Sequence, residues 1–172
     1  MNPAAVLREI VESNFIRKSA ARFRGIPGRP LVLIATIDPE IQEGLAELLE
    51  VASVDAIWVG SVGDFKTLIA RERIVACLCG FWLQDGTYRE VIRHLRRERL
   101  EVPAIIVSAP NCPPKYRDYL AAMNLGALDF LSFPYQQSDF ERMLESAIVR
   151  HSCSERPQVS GNEDDLRHRG SA

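Results

Sequence analysis

The chain has 172 residues, of which 47% are hydrophobic, and a formal net charge of −2. That length accommodates one domain with a proper core, and the composition is ordinary for a globular fold. The balanced charge gives no global pull toward nucleic acid or membrane. No apolar run approaches the roughly 20 residues that span a bilayer. No basic start leads into an apolar secretory core either, so a cytoplasmic location with no membrane partner is expected.

In chain order, residues 3–18 predict an amphipathic helix, with Val6, Leu7, Ile10 and Val11 at helical spacing. Arg17 to Arg29 is a basic connector broken by Gly25, Pro27 and Gly28. Residues 1–29 thus form an N-terminal extension. From Pro30 the apolar runs and helical stripes alternate. Leu31–Ile37 reads as a strand buried on both faces. Asp38-Pro39 starts a first helix, Asp as cap and Pro at the first helical position, with Ile41, Leu45, Leu48 and Leu49 inward.

Ala56–Val59 reads as strand two and Phe65, Leu68 and Ile69 as a short helix two. Ile74–Cys79 is strand three, Thr87–Glu98 helix three and Ala104–Val107 strand four. Tyr116–Leu125 is helix four, closed by Gly126. Asp129–Ser132 is strand five, and Ser138 is expected to cap helix five, whose stripe is Phe140, Met143, Leu144, Ala147 and Ile148. Residues 151–172 are polar and read as a disordered tail. The pattern gives a core domain over 30–150 and no second domain.

Four cysteines occur, Cys77, Cys79, Cys112 and Cys153. Cys77 and Cys79 lie two apart in a strand and point the same way; small apolar filler is the favoured reading. No histidine stands at ligand spacing, so no metal, cofactor or disulfide framework is expected.

Five strands alternating with five helices imply an α/β fold with a parallel sheet covered on both faces. Four segments sharpen this. They are Leu31-Val32-Leu33-Ile34-Ala35-Thr36-Ile37-Asp38-Pro39, Val75 through Gly86, Ala104-Ile105-Ile106-Val107-Ser108-Ala109, and Gly126 through Tyr135. In order and spacing they resemble the receiver domain of bacterial response regulators, over about 120 residues. The resemblance implies a flavodoxin-like, doubly wound sheet of order 2-1-3-4-5, with its crevice at the strands' carboxyl ends.

A receiver needs acids after strand one for Mg²⁺, an acceptor Asp ending strand three, a hydroxyl ending strand four and a Lys after strand five. The acid positions fall here on Thr36 and Ile37, with Asp38 one residue later and better read as the helix cap. The acceptor position falls on Gly80, or on Leu78 if the loop is ungapped. No Asp or Glu occurs between Arg73 and Gln84. The hydroxyl is kept as Ser108. The lysine position is Phe133, before Pro134, which in the resembled family follows a cis peptide bond. Phe130 takes the aromatic switch position. Three of four requirements are lost together, and Ile37, Phe133, Phe81 and Trp82 are expected to plug the mouth.

Asp85 is a candidate substitute acceptor, although a turn residue before Gly86 is the favoured reading. Asp129 is a second candidate. The prolines of Pro110-Asn111-Cys112-Pro113-Pro114 are expected to stiffen the loop before helix four. The helix-four face, with Tyr116, Tyr119, Leu120 and Met123 beside Arg117, Arg142 and Arg150, has an interface-like composition. The expected protein is therefore a stand-alone degenerate receiver, not an enzyme, acting in signal transduction as a phosphorylation-independent adaptor. Its expected partner is a signalling protein or another receiver, with a homodimer left open. Three alternatives remain. One is a phosphorelay receiver using Asp85 or Asp38. Another is a DNA-associated regulator using the basic N-terminal segment, although the acids among Arg93, Arg96, Arg97 and Arg99 disfavour nucleic acid. The last is a flavodoxin-like enzyme, disfavoured because no phosphate-cradling loop follows strand one.

Overall fold

The computed structural model describes residues 29–112 and 114–154. The helix expected over 3–18, nearly all of the basic connector and the tail from 155 lie outside the described residues. Within them the chain runs β1 (Leu31–Ala35), α1 (Pro39–Ala52), β2 (Asp55–Val59), α2 (Val62–Ile69) and β3 (Ala76–Gly80). It continues through β4 (Trp82–Leu83), β5 (Gly86–Thr87), α3 (Tyr88–Arg97), β6 (Ala104–Val107), α4 (Tyr116–Leu125), β7 (Asp129–Leu131) and α5 (Gln137–Ser154). The main sheet is parallel with order β2-β1-β3-β6-β7. Counting β6 and β7 as its fourth and fifth strands, this is the flavodoxin-like order that the sequence leads one to expect.

The apolar strands face two cores. Leu33, Ala35, Cys77, Cys79, Ile106 and Phe130 point to α2, α3 and α4, which contribute Phe65, Val91, Ile92 and Ala122. Val32, Ile34, Leu78, Ile105, Val107 and Leu131 point to α1 and α5, which contribute Ile41, Leu45, Phe140 and Leu144. Each large side chain so buried contributes about 1.5–3 kcal/mol of transfer free energy. Cys77 and Cys79 share one face, as their spacing requires, and burial pushes the Cys77 thiol up to about 12. Both are therefore packed, unreactive thiols.

Several boundaries differ from the sequence reading. Strand β1 ends at Ala35 rather than Ile37, because the Thr36 hydroxyl accepts the Asp38 N–H (3.1 Å) and turns the chain into α1. Strand β3 runs Ala76–Gly80, shifted toward the crevice. Ser138 is not the cap of α5. The helix starts at Gln137, and the Gln136 carbonyl accepts the Phe140 N–H (3.0 Å). Its C-terminal end continues to Ser154, four residues into the segment read as tail. The loop after β3 carries the small antiparallel β4–β5 hairpin, with Gln84 and Asp85 at its turn.

Candidate functional site

The carboxyl ends of β1, β3, β6 and β7 converge as the topology requires, and a cleft of about 350 Å³ opens there. Thr36, Ile37, Asp38, Pro39 and Ile41 line one side, Phe81 and Trp82 another, and Ala109, Asn111 and Cys112 the third. Asp38 is the sole carboxylate in that lining, and no Lys or Arg contributes to it.

Gly80 is the last residue of β3 and pairs with Val107, the residue before Ser108. Leu78 lies two residues deeper, fully buried between Ile34 and Ile105 on the α1/α5 side. The crevice position at the end of strand three therefore belongs to Gly80. A Cβ there would stand 2.8 Å from Thr36 Oγ1 and 3.3 Å from Ile41 Cδ1. Thr36 and Ile41 occupy the room that a side chain at position 80 would need.

The mouth above this point is open, which corrects the expected plug. Ile37 is 38% exposed, Phe133 50% and Trp82 67%. Phe133 does not line the cleft; its ring meets Tyr135 edge-on at 5.5 Å. The Phe133-Pro134 peptide is cis, as the resemblance implied. Ser108 is fully buried, and its hydroxyl accepts the Phe133 N–H (3.2 Å). Ser108 thus fastens the loop after β7, whereas the resemblance would have it grip a ligand.

Two of the three candidate substitute acids, Asp38 and Asp85, hold helix N-termini, where orphan N–H groups and the helix dipole favour negative charge. Asp38 Oδ1 accepts from Glu40 N (2.9 Å) and Ile41 N (3.3 Å), capping α1 as expected. Asp85 reaches across from the hairpin turn to α2, Oδ1 accepting from Val62 N (2.5 Å) and Oδ2 from Gly63 N (3.0 Å). The Val62 N–H, assisted by that of Gly63, holds the Asp85 carboxyl below its usual range against the opposing effect of burial. Stability from this contact is complete above the unfolded value of about 3.9 and is lost as pH falls through the lower folded value. Asp85→Ala should cost about 1 kcal/mol at neutral pH, the usual worth of a cap. The wild-type advantage over this variant should fade in acid urea titrations; an advantage unchanged by pH would refute the clamp. Asp129 is taken too: its Oδ2 lies 3.6 Å from Arg142 Nη1.

Phe130 is buried in a row of rings. Tyr88 meets Phe81 at 5.4 Å between centroids, Phe81 meets Phe130 at 5.7 Å and Phe130 meets Tyr119 at 6.2 Å. The α4 face divides accordingly. Met123 packs partly against the core, while Tyr116 is 76% exposed and Leu120 stands out beside it.

Sequence reasoning missed Tyr135. Its hydroxyl donates to the Ser108 carbonyl (2.5 Å), and its ring lies over Gly44 of α1. A Cβ at Gly44 would come within 2.7 Å of that ring. A glycine inside an otherwise amphipathic helix was the available signal. Gly44→Ala should therefore destabilise by about 1 kcal/mol despite alanine's better helix propensity. In a Tyr135→Ala background the same change should become stabilising, a sign reversal that a double-mutant cycle in urea reads directly. Burial, with the Asp38 and Glu40 carboxylates, pushes the Tyr135 phenol up to about 12. Its contribution is complete below the unfolded value of about 10 and disappears as pH rises through about 12.

The fold is that of response-regulator receiver domains. The signal receiver domain of an HD domain-containing protein from Pseudomonas fluorescens Pf-5 superposes with a TM-score of 0.66 at 17% identity, covering 79% of this chain and 99% of that one. A CheY-like response regulator receiver domain protein from Methanospirillum hungatei JF-1 gives 0.62 at 16%, covering 74% and 99%. A sensor protein from Polaromonas sp. JS666 gives 0.62 at 26%, covering 72% and 98%. Among curated proteins, the KDP operon transcriptional regulatory protein KdpE of Escherichia coli K12 is 37% identical over 75 residues, which are 44% of this chain. The chain spans about a third (32%) of that relative's length. No family model matches the chain. No helix among the described residues is long and apolar enough to cross a membrane.

Proposed function

We propose that this chain is a receiver-fold signalling module that has abandoned phosphoryl transfer and acts by binding a protein partner. The observation that carries this reading is Gly80. It stands at the end of β3, where a receiver presents its acceptor carboxylate, with Thr36 and Ile41 in the space that a side chain would fill. Support also comes from the cleft lining, which offers one carboxylate and no basic group to a dianion. The substitute acids Asp38 and Asp85 are engaged at helix N-termini. Partner binding is assigned to the α4–β7–α5 face, where exposed Tyr116, Tyr119 and Leu120 lie near Arg117.

The test is incubation with acetyl phosphate and Mg²⁺, read by intact-protein mass spectrometry, beside an amide NMR titration with beryllofluoride and Mg²⁺. We expect no phosphoryl adduct and no saturable shifts. An adduct on Asp85 or Asp38, or saturable shifts around Ser108, would return the chain to phosphorelay chemistry. A DNA-associated regulator is the second reading, favoured by one finding, the KdpE relative's description as a transcriptional regulatory protein. A salt-dependent gel shift would support it.

A further inference from the structure

We infer that the crevice at the carboxyl ends of the strands is a binding site for a small, flat aromatic molecule that carries an N–H or O–H donor and no negative charge. The inference rests on the reading of this crevice as blind to phosphoryl groups. The cleft's volume of about 350 Å³ falls within the range of roughly 300–1,000 Å³ typical of small-ligand pockets. Ile37, Pro39, Phe81 and Trp82 make its lining largely apolar, and of the two aromatic residues Phe81 already packs on Tyr88 and Phe130, so Trp82 is the ring surface left for a ligand to cover. Trp82 is 67% exposed on a two-residue strand, so its large apolar face is in water until something covers it.

Charge selects the ligand. Among the lining residues no cation is available to an anion. Asp38 lines the cleft and takes both of its helix N–H bonds on Oδ1. Its carboxylate attracts a donor and repels an anion. A divalent cation is poorly served by the same lining, since Asp38 is its one carboxylate and no group of three or more His, Cys, Asp or Glu side chains suited to a metal occurs among the described residues.

The probe is indole, titrated into the isotopically labelled full chain and followed by amide NMR, with indole-3-acetate as its anionic counterpart. Indole should produce saturable shifts at Thr36, Ile37, Phe81, Trp82 and Asn111. Indole-3-acetate should bind about fivefold more weakly, the effect of one carboxylate at a partly exposed site. Trp82→Ala, at an exposed position, should weaken indole about tenfold with unchanged far-UV circular dichroism. Cys112→Trp, which fills the cleft from its rim, should abolish the shifts. Flat or non-saturating shifts at the cleft, equal or tighter binding of the anion, or binding indifferent to both substitutions would overturn the inference. The beryllofluoride titration is scored separately. Silence with both probes overturns this inference alone, and a response to beryllofluoride overturns the phosphoryl-blind reading beneath it.

Discussion

Gly80→Asp, the substitution that writes the acceptor back into the chain, should lower stability by about 2–4 kcal/mol and still leave the protein unphosphorylated. The new Cβ would meet Thr36 Oγ1 at 2.8 Å, closer than a Cβ carbon approaches a neighbouring atom in real structures. Thr36 cannot simply swing aside. It is β-branched and 2% exposed, and its hydroxyl holds the Asp38 N–H that turns β1 into α1. Ile41 closes the other side at 3.3 Å. The carboxylate would also lose its water without a basic group nearby, which favours its protonated, non-nucleophilic form. Urea unfolding gives the stability change, and acetyl phosphate with mass spectrometry gives the chemistry. A variant as stable as wild type, or one that gains a phosphoryl group, would show that position 80 retains the room denied to it here.

Phe130→Ala should cost about 3–5 kcal/mol, the usual penalty for deleting a buried aromatic ring. Its distribution is the sharper expectation. Helix α4 fully buries only Ala122 and half-buries Met123 and Leu125 against the same core, so the contact between Tyr119 and Phe130 is one of few that fasten it to the sheet. Hydrogen exchange should therefore accelerate more in α4 than in α1, whose Ile41, Leu45, Leu48 and Leu49 are anchored on the opposite core. Phe130→Leu, which keeps most of the apolar volume, should recover most of the loss. Uniform acceleration across both faces would mean that the ring row is ordinary filler and that α4 is held by other contacts.

Much of the fold was legible because its signals are local and periodic. The apolar runs from Leu31, Ala104 and Asp129 specify strands buried on both sides. Asp38-Pro39 and Gly126 punctuate helices by capping chemistry, and the structure places both at helix ends. The failures occur where a tertiary contact overrides the local pattern. Ile37 continues the apolar run of β1, but the Thr36 hydroxyl has already turned the chain. Trp82 and Leu83 read as loop because two-residue strands have no periodicity to detect. The crevice was misjudged for a related reason. Residue type showed which polar groups were missing, but side-chain direction decides whether Phe133 and Trp82 fill a space or border it, and direction is set by the hairpin and by Tyr135.

The fit of Tyr135 over Gly44 has a consequence for how this sequence can drift. The two positions are far apart in the chain, yet the ring at one occupies the volume that a methyl group at the other would take. In relatives that share this packing, a residue larger than glycine at position 44 should be tolerated only after the ring at position 135 has shrunk or turned away. Order of substitution should matter as much as identity. The loss of the ring would come first and release the glycine, leaving a correlated pair of columns whose cause is steric.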